Sequence, residues 1–274
     1  MRYFKKRQMK KSILKVALVF FIPFFLFVCN MFFTQENMIF FPYKLDKTYK
    51  FDFNGKFEEF FIKSADSCKL NALFFKAESS KGVIFYLHGN QGSLKDWGSV
   101  AETYTKLNYD LFILDYRGFG KSEGNIANQE QLFTDNQFLY NFLKNRYSEN
   151  NIIVLGYSIG TGLAAKLASE NSPKLLILQA PYYNLTTEMK QRFPLIPSFI
   201  LKYKFNTNEY LQKCKMPTII FHGNNDRIIN YESSLKLQKE FKKNDTLIIL
   251  ENQGHIGITD NVIYKSALAK ILNK

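Results

Sequence analysis

The pentapeptide Gly-Tyr-Ser-Ile-Gly at residues 156–160 constrains the fold of this chain more than any other stretch. The apolar run 151–155 before it predicts a buried strand. Residues 161–169 after it predict a helix with small residues facing a sheet. A serine at such a strand-to-helix corner lies in a tight turn with its hydroxyl clear of the backbone, and the flanking glycines remove side chains that would collide there. The motif therefore predicts that Ser158 is a nucleophile.

Apolar runs and amphipathic stretches alternate along most of the chain. Runs at 57–62 and 70–75 predict two paired antiparallel strands. Further strands are predicted at 82–88, 111–115, 151–155, 175–180, 218–221 and 246–250, and helices at 93–107, 129–146, 161–169, 231–241 and 259–272. This alternation predicts an α/β fold with a mostly parallel, doubly wound sheet.

Residues 181–216 interrupt this alternation with prolines and many aromatic side chains. We predict that they form a short helical lid between two strands, and we call them the lid segment. Its apolar and basic side chains would suit a lipid-like acyl substrate presented near a membrane. Packing of the lid segment onto the core would explain the same apolar residues.

Charge is concentrated at the amino terminus. The formal net charge is +13, but residues 1–15 hold seven basic residues and no acidic one, so the rest of the chain carries only +6 and no nucleic-acid partner is indicated. The uncharged apolar run 16–33 is close to the roughly 20 residues that cross a bilayer. We predict a basic cytoplasmic head (1–15), a transmembrane anchor (16–33) and a juxtamembrane segment (34–56).

The remaining residues, 57–274, are predicted to form the catalytic domain. The basic flank before the apolar run places this domain on the outer, extracytoplasmic side of the membrane. A cleaved signal peptide is the alternative to an anchor. The run is longer than the usual apolar core of about 7–15 residues and no small-residue cleavage site follows, which favours an uncleaved anchor.

A serine nucleophile needs a base, and the chain has three histidines. His255 follows the last predicted strand, where a loop can carry it to the serine. His88 and His222 end their own strands, so we expect buried, hydrogen-bonded side chains there. Asp226 follows the preceding strand and is placed to orient His255. The sequence therefore predicts a Ser158, Asp226 and His255 triad.

Acyl transfer also needs N–H donors for the oxyanion of the tetrahedral intermediate. We predict the backbone N–H of Ile159, next to the nucleophile, as one donor. The second is predicted in the loop 89–92, most simply the N–H of Asn90, with Gln91 as the alternative. This chemistry needs no cofactor. The three cysteines are far apart, without metal-ligand spacing, and allow one conceivable disulfide, between Cys68 and Cys214.

Five motifs stand at the predicted strand ends: His88-Gly89-Asn90, Asp115-Tyr116-Arg117-Gly118-Phe119-Gly120-Lys121-Ser122, residues 156–160, His222-Gly223 with Asp226, and Gly254-His255. Together they resemble the α/β-hydrolase superfamily over residues 36–274. More narrowly, they resemble its membrane-anchored serine-aminopeptidase-like (S33-type) branch, which is related to protein depalmitoylases. The resemblance implies an α/β-hydrolase fold with a short helical lid, preceded by one transmembrane helix.

The resemblance also implies a serine hydrolase that cleaves carboxylic ester or thioester bonds through an acyl-enzyme. It implies a structural role for Asp115, Arg117 and Ser122. Two alternatives remain open at this point. One is a peptidase or amidase of the same fold, and the other is a catalytically silent, membrane-tethered binding module. The same strand-to-helix turn around a serine serves many acyl-transfer reactions, so the motifs do not identify the substrate.

Overall fold

The computed structural model describes residues 2–273, without the side chains at positions 2, 5, 7, 8, 10–14, 16 and 17. Met1 of the predicted head and Lys274 of the predicted catalytic domain lie outside the described residues. The described chain begins with a long helix, α1 (Arg2–Phe33), and a short one, α2 (Gln35–Ile39).

An eight-stranded sheet forms the centre of the fold, with a separate pair of two-residue strands beside it. The strands are β1 (Phe41–Pro42), β2 (Lys56–Lys63), β3 (Lys69–Lys76), β4 (Val83–Leu87), β5 (Gln91–Gly92), β6 (Asp110–Leu114), β7 (Ile152–Tyr157), β8 (Leu175–Gln179), β9 (Thr218–Gly223) and β10 (Thr246–Leu250). The main sheet has the order β10-β9-β8-β7-β4-β6-β3-β2. β3 runs antiparallel to β2 and β6, and every other neighbouring pair in this sheet is parallel. The predicted mostly parallel sheet with an antiparallel start is confirmed.

Helices cover both faces of this sheet. They are α3 (Leu94–Trp97), α4 (Ala101–Thr105), α5 (Gln129–Lys144), α6 (Gly160–Glu170), α7 (Leu185–Arg192), α8 (Thr207–Leu211), α9 (Glu232–Leu237) and α10 (Val262–Leu272). Along β4, Val83 and Phe85 join the core cluster that contains α5 and α6. Ile84 and Tyr86 join the cluster that contains α4 and α10. Successive strand residues point to opposite faces, so a strand buried on both sides reads as a continuous apolar run.

The predicted helix over 93–107 is divided in the structure. α3 and α4 are separated by a 3-10 turn at Gly98–Val100. Gly98 lies against the Phe53 ring, where a Cβ would collide with the ring atoms. Glycine is also a weak helix former, and the helix breaks at this position.

The amino-terminal helix α1 spans the predicted head and anchor. In the part of the chain whose placement is described, no helix combines the length and apolar character needed to cross a membrane. Val19, Phe20 and Phe21 of α1 are exposed. At the other end of the helix, Met31 is buried against Ile200 and its neighbours in the lid segment.

A buried arginine orders the loop after β6. The Arg117 guanidinium donates to both carboxylate oxygens of Asp135, at 2.6 and 2.7 Å, and to both of Asp66, at 2.7 and 2.8 Å. In the same loop, the Ser122 hydroxyl donates to the backbone carbonyl of Asp115 at 2.6 Å and accepts the N–H of Asn71 at 2.8 Å. These contacts tie the loop to β3 and α5, and none of them involves Ser158.

Asp66 gives this cluster a testable pH dependence. Hydrogen bonds from Arg117 and then Ser64 hold the pKa of the Asp66 carboxyl well below its usual range. A carboxyl whose pKa is lower when folded adds stability above its unfolded pKa of about 3.9, and this stability is lost as the pH falls towards the folded value. We expect Asp66→Asn to lower Tm at pH 7, because it removes the ion pair with Arg117. The decrease should be only roughly 1–3 °C, because the carboxyl is largely exposed.

The difference in Tm should shrink as the pH falls from 5 to 3, and thermal unfolding of the full-length chain measures it. Asp52→Asn is the matched control, because Asp52 is exposed and its side chain makes no hydrogen bond with a described residue. A difference for Asp66→Asn that stays constant down to pH 3 would contradict the role assigned to the ion pair.

Candidate active site

Ser158 lies at the corner between β7 and α6 with a backbone φ of 52°. This left-handed conformation is uncommon for any residue but glycine. A Cβ on Gly156 would collide with the backbone oxygen of Gly160, and a Cβ on Gly160 would collide with that of Leu87. The two glycines of the motif therefore let strand, turn and helix pack at a distance that no other residue permits.

Backbone hydrogen bonds hold this corner in place. The N–H of Ser158 donates to the carbonyl of Gln179 in β8 at 2.9 Å. The carbonyl of Ser158 accepts from the N–H of Thr161 at 2.9 Å and from its hydroxyl at 2.6 Å. The serine is 7% exposed and lines a cavity at the surface of the protein.

His255 joins the other two residues predicted for the triad. Its Nε2 lies 3.0 Å from the Oγ of Ser158, and its Nδ1 lies 2.6 Å from Oδ2 of Asp226. An ionised carboxylate only accepts hydrogen bonds, so Nδ1 carries the proton in this pair. Nε2 is then free to accept the proton of the serine hydroxyl. The structure brings Ser158, His255 and Asp226 into one hydrogen-bonded chain.

Asp226 is fully buried as a side chain and richly hydrogen-bonded. Its Oδ1 accepts from the N–H groups of Ile228 at 2.8 Å and Ile229 at 2.9 Å. Burial alone would raise the pKa of Asp226, but hydrogen bonds from His222 and His255 outweigh it and hold the pKa well below its usual range. The carboxylate is therefore ionised and faces His255 as an anion.

His222 is the second imidazole on Asp226, a contact that the sequence did not predict. Its Nε2 lies 3.2 Å from Oδ2 of Asp226 and 3.0 Å from the carbonyl of Ile229. Both of these oxygens accept, so Nε2 carries the proton and Nδ1 accepts the hydroxyl of Ser234 at 2.7 Å. The expected buried, hydrogen-bonded histidine is present, and it also fixes the carboxylate. The one sequence feature that could have predicted the contact is the spacing of four residues between His222 and Asp226.

His88 lies behind the site and does not contact Ser158. It is fully buried, its Nδ1 lies 2.7 Å from the carbonyl of Gly89, and its Nε2 lies 3.7 Å from Asp115. Burial lowers the pKa of His88 to about 4, so the ring is neutral. The hydroxyl of Tyr116 donates to the carbonyl of His88 at 2.9 Å. These contacts support the loop that carries Asn90.

The two predicted oxyanion donors come from the turn at Ser158 and from the loop after β4. Ile159 follows Ser158 at the start of α6, and Asn90 belongs to a loop that lines the same cavity as Ser158. Within residues 2–273, neither backbone N–H donates a hydrogen bond to another protein group. Both are therefore available to a substrate oxygen.

A cavity of about 870 Å³ opens above Ser158. Its walls are mostly apolar, with aromatic side chains from three parts of the chain. The apolar and aromatic lining residues are Phe41, Pro42, Tyr43, Trp97, Tyr157, Ile228 and Ile256. The polar ones include Asn90, Gln91, Lys95, Asp96 and His255. Phe41–Tyr43 belong to the predicted juxtamembrane segment, and their presence here is a second contact that the sequence did not predict. Among the described residues, no group of three His, Cys, Asp or Glu side chains is placed to hold a metal ion.

Comparison with known proteins supports the resemblance to one family. The family model described as serine aminopeptidase, S33, matches residues 78–208. Lysophosphatidylserine lipase ABHD12 of Danio rerio is 27% identical over 215 residues, which cover 69% of this chain and 56% of that protein. Alpha/beta hydrolase domain-containing protein 17C of Mus musculus is 27% identical over 223 residues, which cover 79% of this chain and 68% of that protein.

Solved structures share the fold. An esterase from Pyrococcus furiosus superimposes with a TM-score of 0.68 at 20% identity, covering 86% of this chain and 97% of that one. The sheet order, the geometry around Ser158 and the sequence matches agree with one another. The chain therefore has an α/β-hydrolase fold and is similar to the serine-aminopeptidase-like (S33) branch, and these comparisons support a serine hydrolase.

Proposed function

We propose that this hydrolase cleaves carboxylic ester or thioester bonds through an acyl-enzyme formed on Ser158. One observation carries the proposal. The imidazole of His255 lies within hydrogen-bond distance of both the buried carboxylate of Asp226 and the hydroxyl of Ser158, a serine that lines the cavity. This is the arrangement that converts a weak hydroxyl nucleophile into a reactive one.

In the first half-reaction, Nε2 of His255 accepts the hydroxyl proton as Oγ of Ser158 bonds to the substrate carbonyl carbon. The carbonyl π electrons move to its oxygen, and the N–H groups of Asn90 and Ile159 donate to this oxyanion. Asp226 stabilises the imidazolium that forms and keeps the ring in its orientation. Collapse of the intermediate breaks the bond to the leaving alkoxide or thiolate, which takes the proton from His255.

In the second half-reaction, water replaces the leaving group. Nε2 of His255 accepts a proton from this water as its oxygen attacks the acyl carbon. The same two N–H groups hold the second oxyanion, and its collapse releases the carboxylic acid as Ser158 recovers the proton from His255. No electron transfer is involved, and each proton that His255 accepts is returned.

The cavity supports an acyl substrate with a substantial apolar part. Its volume falls within the range of about 300–1,000 Å³ typical of small-molecule sites, and its walls are mostly apolar. One relative is named as a lysophosphatidylserine lipase, and one structural neighbour as an esterase. We therefore propose a small or lipid-like acyl ester as the substrate. The family description, serine aminopeptidase, keeps a peptide or amide substrate as the second candidate.

We further propose that α1 holds the enzyme on a membrane, with its amino terminus cytoplasmic and the catalytic domain on the outer side. The uncharged run 16–33 and the basic residues before it support this orientation. The exposure of aromatic side chains such as Phe20 and Phe25 in α1 is consistent with a lipid environment.

Substitution of Ser158 is the first test of the hydrolase proposal. The wild type should react with a fluorophosphonate probe and hydrolyse p-nitrophenyl esters faster than the matching anilides. Ser158→Ala and His255→Ala should lose labelling and at least about 10⁴-fold in kcat, because the remaining site lacks the nucleophile or its base. Activity-based labelling and a chain-length series of esters and thioesters measure both effects.

Ser172→Ala is the matched control, since this serine is exposed and its hydroxyl makes no hydrogen bond with a described residue. It should label and turn over like the wild type. Retention of full activity in Ser158→Ala would contradict the proposal. Faster anilide than ester turnover would select the amidase alternative.

Substitution of Asp226 tests whether this carboxylate orients His255 without binding the substrate. Asp226→Asn removes the anion that fixes the His255 tautomer, so kcat should fall by about 10³–10⁴-fold. KM should change little, because Asp226 does not line the cavity. Steady-state kinetics with the best ester of the series measures both parameters. A rise in KM at unchanged kcat would assign Asp226 to substrate binding instead.

Membrane attachment can be tested by fractionation. The wild type should sediment with membranes and resist sodium carbonate extraction. The double substitution Ile22→Lys and Leu26→Lys should release it, because each charge at the centre of a span costs about 2.5–3.5 kcal/mol. Phe61→Lys, at an exposed aromatic residue of β2, is the control and should leave fractionation unchanged. Extraction of the wild type by carbonate would contradict the anchor.

A further inference from the structure

The stretch between α1 and the main sheet crosses directly over the loop that carries Asn90. There β1 pairs in parallel with β5. The N–H of Phe41 donates to the carbonyl of Asn90 at 2.8 Å, and the N–H of Tyr43 donates to the carbonyl of Gly92 at 2.9 Å. The loop is therefore hydrogen-bonded to a distant part of the chain on either side of Gln91.

The side chain of Asn90 makes a third contact with this stretch. Its Nδ2 donates to the carbonyl of Ile39 at 2.7 Å, at the end of α2. Asn90 is thus held through its side chain and through its own carbonyl. Asn90 lines the cavity that contains Ser158, and its backbone N–H makes no hydrogen bond within the described chain.

The same stretch is fixed at its other end by the lid segment. The buried side chain of Gln35 donates to the carbonyl of Ile200 at 2.9 Å and accepts the N–H of Lys202 at 2.9 Å. Glu36 accepts from the hydroxyl of Tyr203 at 2.9 Å and pairs with the ammonium of Lys202 at 3.3 Å. A stretch held this firmly at one end can impose a fixed position on the loop at the other.

These contacts define a group of residues that we call the brace: Gln35, Glu36, Ile39, Phe41 and Tyr43. We propose that the brace holds the oxyanion-binding loop in its reactive position and that the Asn90 side chain is the positioning residue through which it acts. Phe41 and Tyr43 also form one wall of the cavity. The inference rests on the proposed hydrolase function and assigns part of the active site to a stretch outside the main sheet.

The physical consequence is specific to the transition state. An oxyanion donor strengthens its hydrogen bond only as charge develops on the carbonyl oxygen, so a displaced donor lowers kcat more than it changes KM. A displacement of about 1 Å can cost about 10²-fold in rate. The same displacement weakens any ligand that carries a real oxyanion in that position.

Two substitutions of Asn90 in the full-length chain test the proposal. Asn90→Ala removes the bond to Ile39, and Asn90→Asp puts a carboxylate against the same carbonyl while keeping the side-chain shape. Both should lower kcat by about 10- to 100-fold, with KM within about threefold of the wild type. The Ki of an alkyl trifluoromethyl ketone, whose adduct with Ser158 carries an oxyanion, should rise by the same factor as kcat falls.

Asn37→Ala is the matched control. Asn37 lies in α2 between the brace residues, but its side chain makes no hydrogen bond with a described residue. It should keep the wild-type kcat and Ki. If Asn90→Ala fails to fold, as judged by its Tm, the nearly isosteric Asn90→Asp supplies the same comparison.

The possible outcomes separate the inference from the function on which it rests. Parallel losses in kcat and ketone affinity in a folded Asn90 variant would support the brace. A folded variant with wild-type kcat and Ki would overturn it, while ester turnover that depends on Ser158 would leave the proposed function intact. Absence of ester turnover in the wild type would overturn the proposed function and the inference with it.

Discussion

The left-handed backbone at Ser158 is the constraint on which the rest of the site depends. A serine adopts it only where the surroundings impose it, at a cost of about 1–3 kcal/mol. Here the N–H of Ser158 is bonded to β8, its carbonyl is bonded to Thr161, and Gly156 and Gly160 allow the close packing. The result is a hydroxyl whose direction is set by the main sheet.

Parallel strands then deliver the other groups to the same edge. β9 and β10 lie side by side, so the loops that follow them bring Asp226 and His255 together although they are 29 positions apart in sequence. β4 lies beside β7, and the loop after it brings Asn90 to the same cavity as Ser158. His222 adds a second donor to the Asp226 carboxylate. The buried carboxylate remains charged because two imidazoles and two backbone N–H groups compensate its burial.

The elements that the sequence predicted depend on local pattern or chain order. The turn at Ser158, the apolar strands and the order of Ser158, Asp226 and His255 all leave such a signal. The contacts that the sequence missed join distant residues. Asn90 is hydrogen-bonded to Ile39, 51 positions away in sequence. Phe41–Tyr43 line the cavity beside a strand pair that is only two residues long. No periodicity marks so short a strand. The break in the helix over 93–107 likewise coincides with a tertiary contact, between Gly98 and Phe53.

The most direct measurement is to identify the atom that carries the acyl group during turnover. An aryl carbamate transfers a carbamoyl group that hydrolyses slowly, so the covalent intermediate accumulates and peptide mass spectrometry can locate it. We predict one carbamoyl group on the peptide containing Ser158, released as hydrolytic activity returns. Ester hydrolysis by a folded protein that stays unmodified at Ser158, or that carries the group on another residue, would contradict it.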